Sequence, residues 1–277
     1  MTHADLALAE RLERAEGNAC AEFARSLARL RPESGATTLE LGGALAAFSG
    51  IDSPITQCFG LGVLHDLNDV ALDAVEKFFF DRGSACDLEV SPLAGVAALA
   101  LLCARGYRPI EVSSVMYRRV EAPEGEDAPG VSARIIAPDE GGMWSEVSAR
   151  GWASEAPELF DFVMGLGEVL SVRSGSVCFV AELDGVPGAA GALSFCDGVA
   201  LFGGAATMPE FRRRGLQRAL LRERMRFAVD HGCDLAMMVA QPGSDSQRNA
   251  ERQGFRIAYT RTKWRRNFRA ELKFGGS

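Results

Sequence analysis

The chain has little of what builds metal centres, disulfide scaffolds or membrane spans. Its three histidines, His3, His65 and His231, are far apart. Its seven cysteines, Cys20, Cys58, Cys86, Cys103, Cys178, Cys196 and Cys233, are scattered, odd in number and without a C-x-x-C pair. That spacing points away from zinc and from disulfides, toward reduced thiols packed as small apolar side chains. No run of 18 apolar residues occurs, so no membrane span is expected. The N-terminal stretch MTHADLALAERLERAEG carries acids and no apolar signal core, so a cytoplasmic protein is expected.

What is present is a chain of 277 residues, 47% hydrophobic and 24% charged, enough for two domains or one large one with a normal core. A net charge of −7 argues against nucleic acid as the main partner. The charge is uneven: Thr207 to Arg269 holds fifteen Lys/Arg and six Asp/Glu, net +9, which leaves −16 elsewhere. A basic face on an acidic protein suits a small polyanion. Arg222 and Arg226 read as solvated helix positions within that stretch.

In chain order, apolar residues at helical spacing (Leu8, Leu12, Ala15, Ala19, Phe23, Leu27, Leu30) predict a helix over 5–30, with Gly17-Asn18 as a possible break. Strands are expected in 37–48, 56–64, 85–90 and 107–120, and helices over 66–80 and 93–105. The segment 121–130, EAPEGEDAPG, has two prolines, two glycines and four acids and reads as a linker. Domains are therefore expected at 1–122 and 131–277, with 123–130 between them. Beyond it come a strand at 131–136, helices opened by Pro138 and Pro157, and two hairpins signalled by Asp184-Gly185 and Asp197-Gly198. A buried strand at 235–240, a short helix at 245–253 and strands at 255–261 and 263–268 complete the reading.

The informative stretch is AATMPEFRRRGLQRALL, Ala205 to Leu221. A strand ends at Met208-Pro209, three arginines and Gly215 follow, and Leu216, Ala219, Leu220, Met225 and Phe227 then mark a helix. A basic turn at a helix N-terminus is an anion site, because the first N–H groups have no internal partner and the dipole is positive there. This pattern resembles motif A of the GNAT superfamily of acyl-CoA-dependent N-acetyltransferases, Arg/Gln-x-x-Gly-x-Gly/Ala. Here it reads Arg212-Arg213-Arg214-Gly215-Leu216-Gln217, and Gln217 departs from Gly/Ala. The resemblance extends from Val131 to the C-terminus through Ser246-Gln247-Arg248-Asn249 and the pair Gly254-Phe255.

The first half repeats the second. Phe59-Gly60 parallels Phe202-Gly203, Arg82-Gly83 parallels His231-Gly232, Gly106-Tyr107 parallels Gly254-Phe255, and Tyr117-Arg118-Arg119 parallels Trp264-Arg265-Arg266. Where motif A would lie, the first half has His65-Asp66-Leu67-Asn68-Asp69, with acids and no arginine. The resemblance thus implies a tandem GNAT-like α/β (α+β) fold: mixed, mostly antiparallel central sheets flanked by helices. The N-terminal copy would be degenerate and would not bind CoA.

The resemblance further implies acetyl-CoA as cofactor, held by Ala205, Ala206, Thr207, Met208, Arg212, Arg213, Arg214, Gly215, Leu216, Gln217, Arg218 and Asn249. The family often places a tyrosine four residues before the Gly-Phe pair; here that position is Ala250. No catalytic acid or base is assigned. Tyr259, Glu168, Asp197 and Cys196 are candidates, each with a structural alternative, and Trp144 and Trp152 sit on helices that often border the acceptor groove. The acceptor would be an amine of a small molecule or a protein, the chain a monomer or homodimer, with no metal. A CoA-binding sensor or interaction module with little catalysis stays open beside the enzyme.

Overall fold

In the computed structural model, residues 5–154 and 157–268 are described; His3 and Arg269 lie outside them. The chain divides into two compact units, 1–114 with 258–277, and 115–257.

Unit 1 opens with α1 (Leu6–Leu30), capped by the Asp5 side chain on the Leu8 N–H. The helix runs unbroken through Gly17, where a Cβ would lie 3.2 Å from the Phe59 Cβ, so glycine serves close helix–strand packing there. β1 (Thr37–Leu41), β2 (Ala44–Phe48), β3 (Gln57–Phe59), α2 (Asp69–Phe80), β4 (Cys86–Val90), α3 (Gly95–Ala104) and the first part of β5 (Arg108–Arg119) follow. The expected strand over 56–64 stops at Phe59, because Gly60 starts a turn whose carbonyl accepts from Val63, Leu64 and His65.

Unit 2 takes the rest of β5, then β6 (Val131–Ile135), α4 (Gly141–Ala153), α5 (Phe160–Val172), β7 (Ser176–Leu183), β8 (Val186–Cys196), β9 (Val199–Thr207), α6 (Leu216–Asp230), β10 (Leu235–Ala240) and α7 (Asp245–Arg252). The last strand, β11 (Arg256–Arg266), is continuous where two strands were expected, since period-2 burial carries on through Thr262. From Ala258 on it belongs to unit 1.

Unit 1 has the strand order β1-β2-β3-β4-β11, and unit 2 has β5-β10-β9-β8-β7-β6. β3/β4 and β9/β10 pair in parallel, whereas β1/β2, β2/β3, β4/β11, β6/β7, β7/β8 and β8/β9 are antiparallel. The chain therefore exchanges its strands. The one following α3 completes the sheet of unit 2, and the C-terminal one pairs with β4, Trp264 opposite Leu88. The segment 123–130 falls inside unit 2, and 258–268, expected with the C-terminal domain, packs in unit 1.

That return is held by buried charge. Arg261, 1% exposed, pairs with Glu13 at 3.2 Å, Glu16 at 2.8 Å and Glu89 at 2.9 Å. Tyr259 donates to Glu13 at 2.8 Å, and Arg265 forks onto Asp87 at 2.7 and 2.6 Å. In unit 2, α6 packs on β6–β9 and α4 on β8 and β9. Its core gathers Phe179, Leu193, Phe202, Leu216, Leu220, Met225, Ala250 and Phe255. Among the described residues no helix is long and apolar enough to cross a membrane.

Candidate cofactor site

The site is built where β9 ends. The Met208 N–H donates to the Gly188 carbonyl at 2.9 Å, so that donor is spent. Pro209–Phe211 makes one tight turn, and the chain then passes through two left-handed residues, Arg213 (φ 62°) and Gly215 (φ 92°). Gly215 is the N-cap of α6 and carries no side-chain cap. The first internal bonds of the helix run from Arg218 and Ala219 to the Gly215 carbonyl, each 3.0 Å. The backbone N–H groups of Arg213, Arg214, Gly215 and Leu216 show no hydrogen-bond partner among the described residues. Arg212, Arg213, Arg214, Gln217 and Arg218 are exposed, while Leu216 is buried and anchors the helix start.

Two side chains turn toward the end of β9. Arg212 turns back, donating to the Thr207 carbonyl at 3.3 Å and to the Ser154 Oγ at 2.5 Å, and so braces the strand end. Gln217, which departs from the motif, folds toward Thr207, whose hydroxyl donates to its Oε1 at 3.1 Å. Arg213 and Arg214 remain the exposed cations at the turn. Arg222 is not solvated: it is buried, donates to Asp127 at 3.1 Å and also bonds the Gly125 carbonyl, docking the acidic segment 121–130 along α6.

Above the turn the sheet opens. β10 pairs with β9 only at Leu235/Val199, Ala236/Ala200 and Met237/Leu201; beyond Leu201 the ladder ends although both strands continue. On its other edge β9 bulges. Ala192 faces Gly203 and Ala190 faces Ala206, so Gly191 stands opposite Gly204 and Ala205. Gly204 is left-handed (φ 61°), the conformation that bulges of this kind give to glycine. A Cβ added at Gly203 or Gly204 would meet nothing within 4 Å, so open space borders this backbone. Of the expected donors, Ala205 lies in the bulge, while Ala206 and Thr207 face Ala190 and Ala189 in the β8 ladder.

The structure separates the remaining candidates. Asn249 is exposed on α7 and accepts from Arg252 at 3.1 Å. Ala250 is buried in the core cluster of unit 2. Ala250→Tyr is therefore expected to overpack that core and lower stability by about 1–3 kcal/mol. Urea denaturation beside a turnover assay checks this; faster turnover at unchanged stability would show the ring fitting the opening. Tyr259 belongs to unit 1, where burial pushes its hydroxyl up, and it is spent on Glu13. Asp197 and Cys196 flank the opposite end of β9, about 20 Å of strand from Ala205. Glu168 is exposed on α5. Trp144 is 1% exposed and donates to the Phe179 carbonyl at 2.9 Å, a core tryptophan, whereas Trp152 is 41% exposed. Among the described residues no group of three metal-ligating side chains gathers.

Unit 1 offers a contrast at the matching place. The turn 60–65 spends its donors on itself, with Gly62 N–H bonding His65 O at 2.7 Å and Leu64 N–H bonding Gly60 O at 2.7 Å. α2 is capped by Asn68, which accepts from Ala71 at 3.0 Å. A cavity of about 440 Å³ beside it is walled by Asp66, Asn68 and Asp69.

Residues 144–255 match the model of the Acetyltransferase (GNAT) family. The matched segment holds β9, the basic turn and α6 described above. The whole chain is arranged as a tandem GNAT fold. A GCN5-related N-acetyltransferase from Kribbella flavida superposes with a TM-score of 0.63 at 18% identity, covering 92% of this chain and 96% of that one. A tandem GNAT protein from the clavulanic acid biosynthesis pathway superposes at 0.59 and 15% identity, covering 84% and 82%. A GCN5-related N-acetyltransferase from Sphaerobacter thermophilus gives 0.54 and 18%, covering 90% and 87%. No curated protein matched the sequence.

Proposed function

We propose that unit 2 is an acetyl-CoA-dependent N-acetyltransferase acting on a primary amine, and that unit 1 is a degenerate GNAT-like lobe that binds no CoA. The observation that carries this reading is the run of backbone N–H groups from Arg213 to Leu216 with no partner among the described residues, at the start of a helix without a side-chain cap and near the opening between β9 and β10. Backbone donors and Arg214 would take the pyrophosphate, and the opening would take the pantetheine arm. Ala205, in the bulge, would offer its backbone donor to the thioester carbonyl. Asn249 would lie beside the arm. The chemistry is direct transfer: the amine lone pair forms a C–N bond, the C–S pair leaves with sulfur, and the ammonium proton passes to the thiolate, giving amide and free CoA. In unit 1 the self-closed turn and Asp66 and Asp69 disfavour a polyphosphate.

The competing reading, a CoA sensor with little catalysis, draws on the absence of any titratable side chain on β9 from Phe202 to Thr207 and on β10 from Met238 to Ala240. Acetyl-CoA titration by calorimetry with CoA release against a broad amine panel tests both. One acetyl-CoA per chain with turnover of at least one amine is expected. Tight binding with no acceptor turned over favours the sensor, and two CoA per chain overturns the division between the units.

A further inference from the structure

α6 carries a cation that no carboxylate explains. Arg224 is 2% exposed in the middle of the helix. Its guanidinium donates to the carbonyls of Leu220 at 3.2 Å, Ala192 at 3.2 Å and Gly203 at 3.5 Å, and lies 5.1 Å over the Phe202 ring. None of its partners is an acid, and burial without a counter-charge pushes its pKa down to about 9. A guanidinium in a core is costly and is tolerated where its donors are filled. An apolar residue of similar length would pack here without that cost, so the charge itself needs a reason.

Its place supplies one. Ala192 and Gly203 are the last register pair before the bulge, and Leu201, two residues earlier, is the last β9 residue paired with β10. Gly191, opposite the bulge, leaves the necessary room: a Cβ there would lie 3.1 Å from a guanidinium nitrogen and 3.2 Å from its carbon. The side chain thus clamps both strands at the point where β9 leaves β10.

We propose that Arg224 is a positioning residue for acyl transfer: clamped on the Ala192 and Gly203 carbonyls, it holds the Gly204 bulge so that β9 presents its backbone donors to the thioester carbonyl. The inference rests on the acetyltransferase reading above. As the amine attacks, the carbonyl π pair moves onto oxygen before returning to expel the thiolate. A buried cation held at the Gly203 carbonyl, one residue before Gly204, would stabilise that charge more than the ground state. The same clamp would keep the donors from relaxing into the β8 ladder.

The test uses the full chain with acetyl-CoA and water as acceptor, and the variants Arg224→Lys, Arg224→Met and Gly191→Ala. Arg224→Met is expected to slow CoA release about tenfold or more. Its calorimetric affinity for acetyl-CoA should stay within about threefold, because the phosphate turn is untouched. The infrared carbonyl band of bound 13C-labelled acetyl-CoA should move toward its position in free solution, and Arg224→Lys should restore part of both signals. If Arg224→Met does not fold, Gly191→Ala crowds Leu220 Cδ2 at 3.0 Å and the guanidinium at 3.1 Å without opening a cavity, and is expected to shift the same band. A wild-type rate and band in the folded variants overturns the proposal, as does a loss of rate and affinity in step with stability. A wild-type protein that neither binds acetyl-CoA nor releases CoA refutes the acetyltransferase reading itself, whereas wild-type turnover with unaffected variants refutes only the role of Arg224.

Discussion

Arg261→Met is expected to destabilise unit 1 by about 3–5 kcal/mol, the cost of leaving buried charges without their partner. The substitution strands Glu13, Glu16 and Glu89, which converge on the guanidinium within 3.2 Å. In the native protein burial pushes the Glu13 carboxyl up, and Arg261 is the largest influence opposing that rise. Burial lowers the pKa of Arg261 itself, but Glu16, Glu13 and Glu89 together hold it well above the ordinary value. Without the arginine the Glu13 pKa rises further. A carboxyl whose folded pKa lies above its unfolded one contributes stability below the unfolded value and loses it as the pH rises through the folded one. The variant should therefore be most stable near pH 4.5 and weaken toward neutrality. Hydrogen exchange resolved by unit, with urea denaturation at several pH values, checks this. Equal loss in both units, or no pH dependence, would refute the account.

Arg214→Ala combined with Gly215→Glu should weaken acetyl-CoA binding by more than tenfold. A charge-assisted hydrogen bond contributes roughly 1.5–3 kcal/mol, and the second change places an anion and a strained backbone in the turn. Gly215 has φ 92°, a conformation that costs any residue with a Cβ about 1–3 kcal/mol. Space is not the obstacle, since the nearest atom to an added Cβ, on Ala128, is 3.5 Å away. Calorimetry on the double variant, with circular dichroism confirming an intact α6, gives the measurement. Unchanged affinity would move the pyrophosphate elsewhere.

Much of the fold was legible because its signals are local. Helical periodicity located α1, α2 and α6, and Asp-Gly pairs located the β7–β8 and β8–β9 hairpins, where Asp184 and Asp197 adopt φ 50° and 47°. Motif A was legible for the same reason, being one contiguous strand–turn–helix. The repeat found by matching glycines reappears as two parallel strand pairs, β3/β4 and β9/β10, each bridged by a helix.

The residues themselves thus determine the class of elements, their order and the basic turn at the start of α6, which the first half lacks. Only the tertiary structure decides which sheet each terminal strand joins. β5 and β11 are equally extended in sequence, and the choice depends on partners far away in the chain: Asp234 for the Val120 N–H, and Leu88, Asp87 and Glu89 for β11. Burial of charge is decided at the same level. Arg222, Arg224 and Arg226 lie on one helix, yet the first is buried against Asp127, the second sits in the core beneath the bulge and the third is exposed beside Glu223. A side chain's register on a helix gives its direction, but what Arg224 meets there is the backbone beside the bulge, the carbonyls of Ala192 and Gly203. That follows from a bulge at Gly204, which a Gly-Gly pair permits and only the assembled sheet requires.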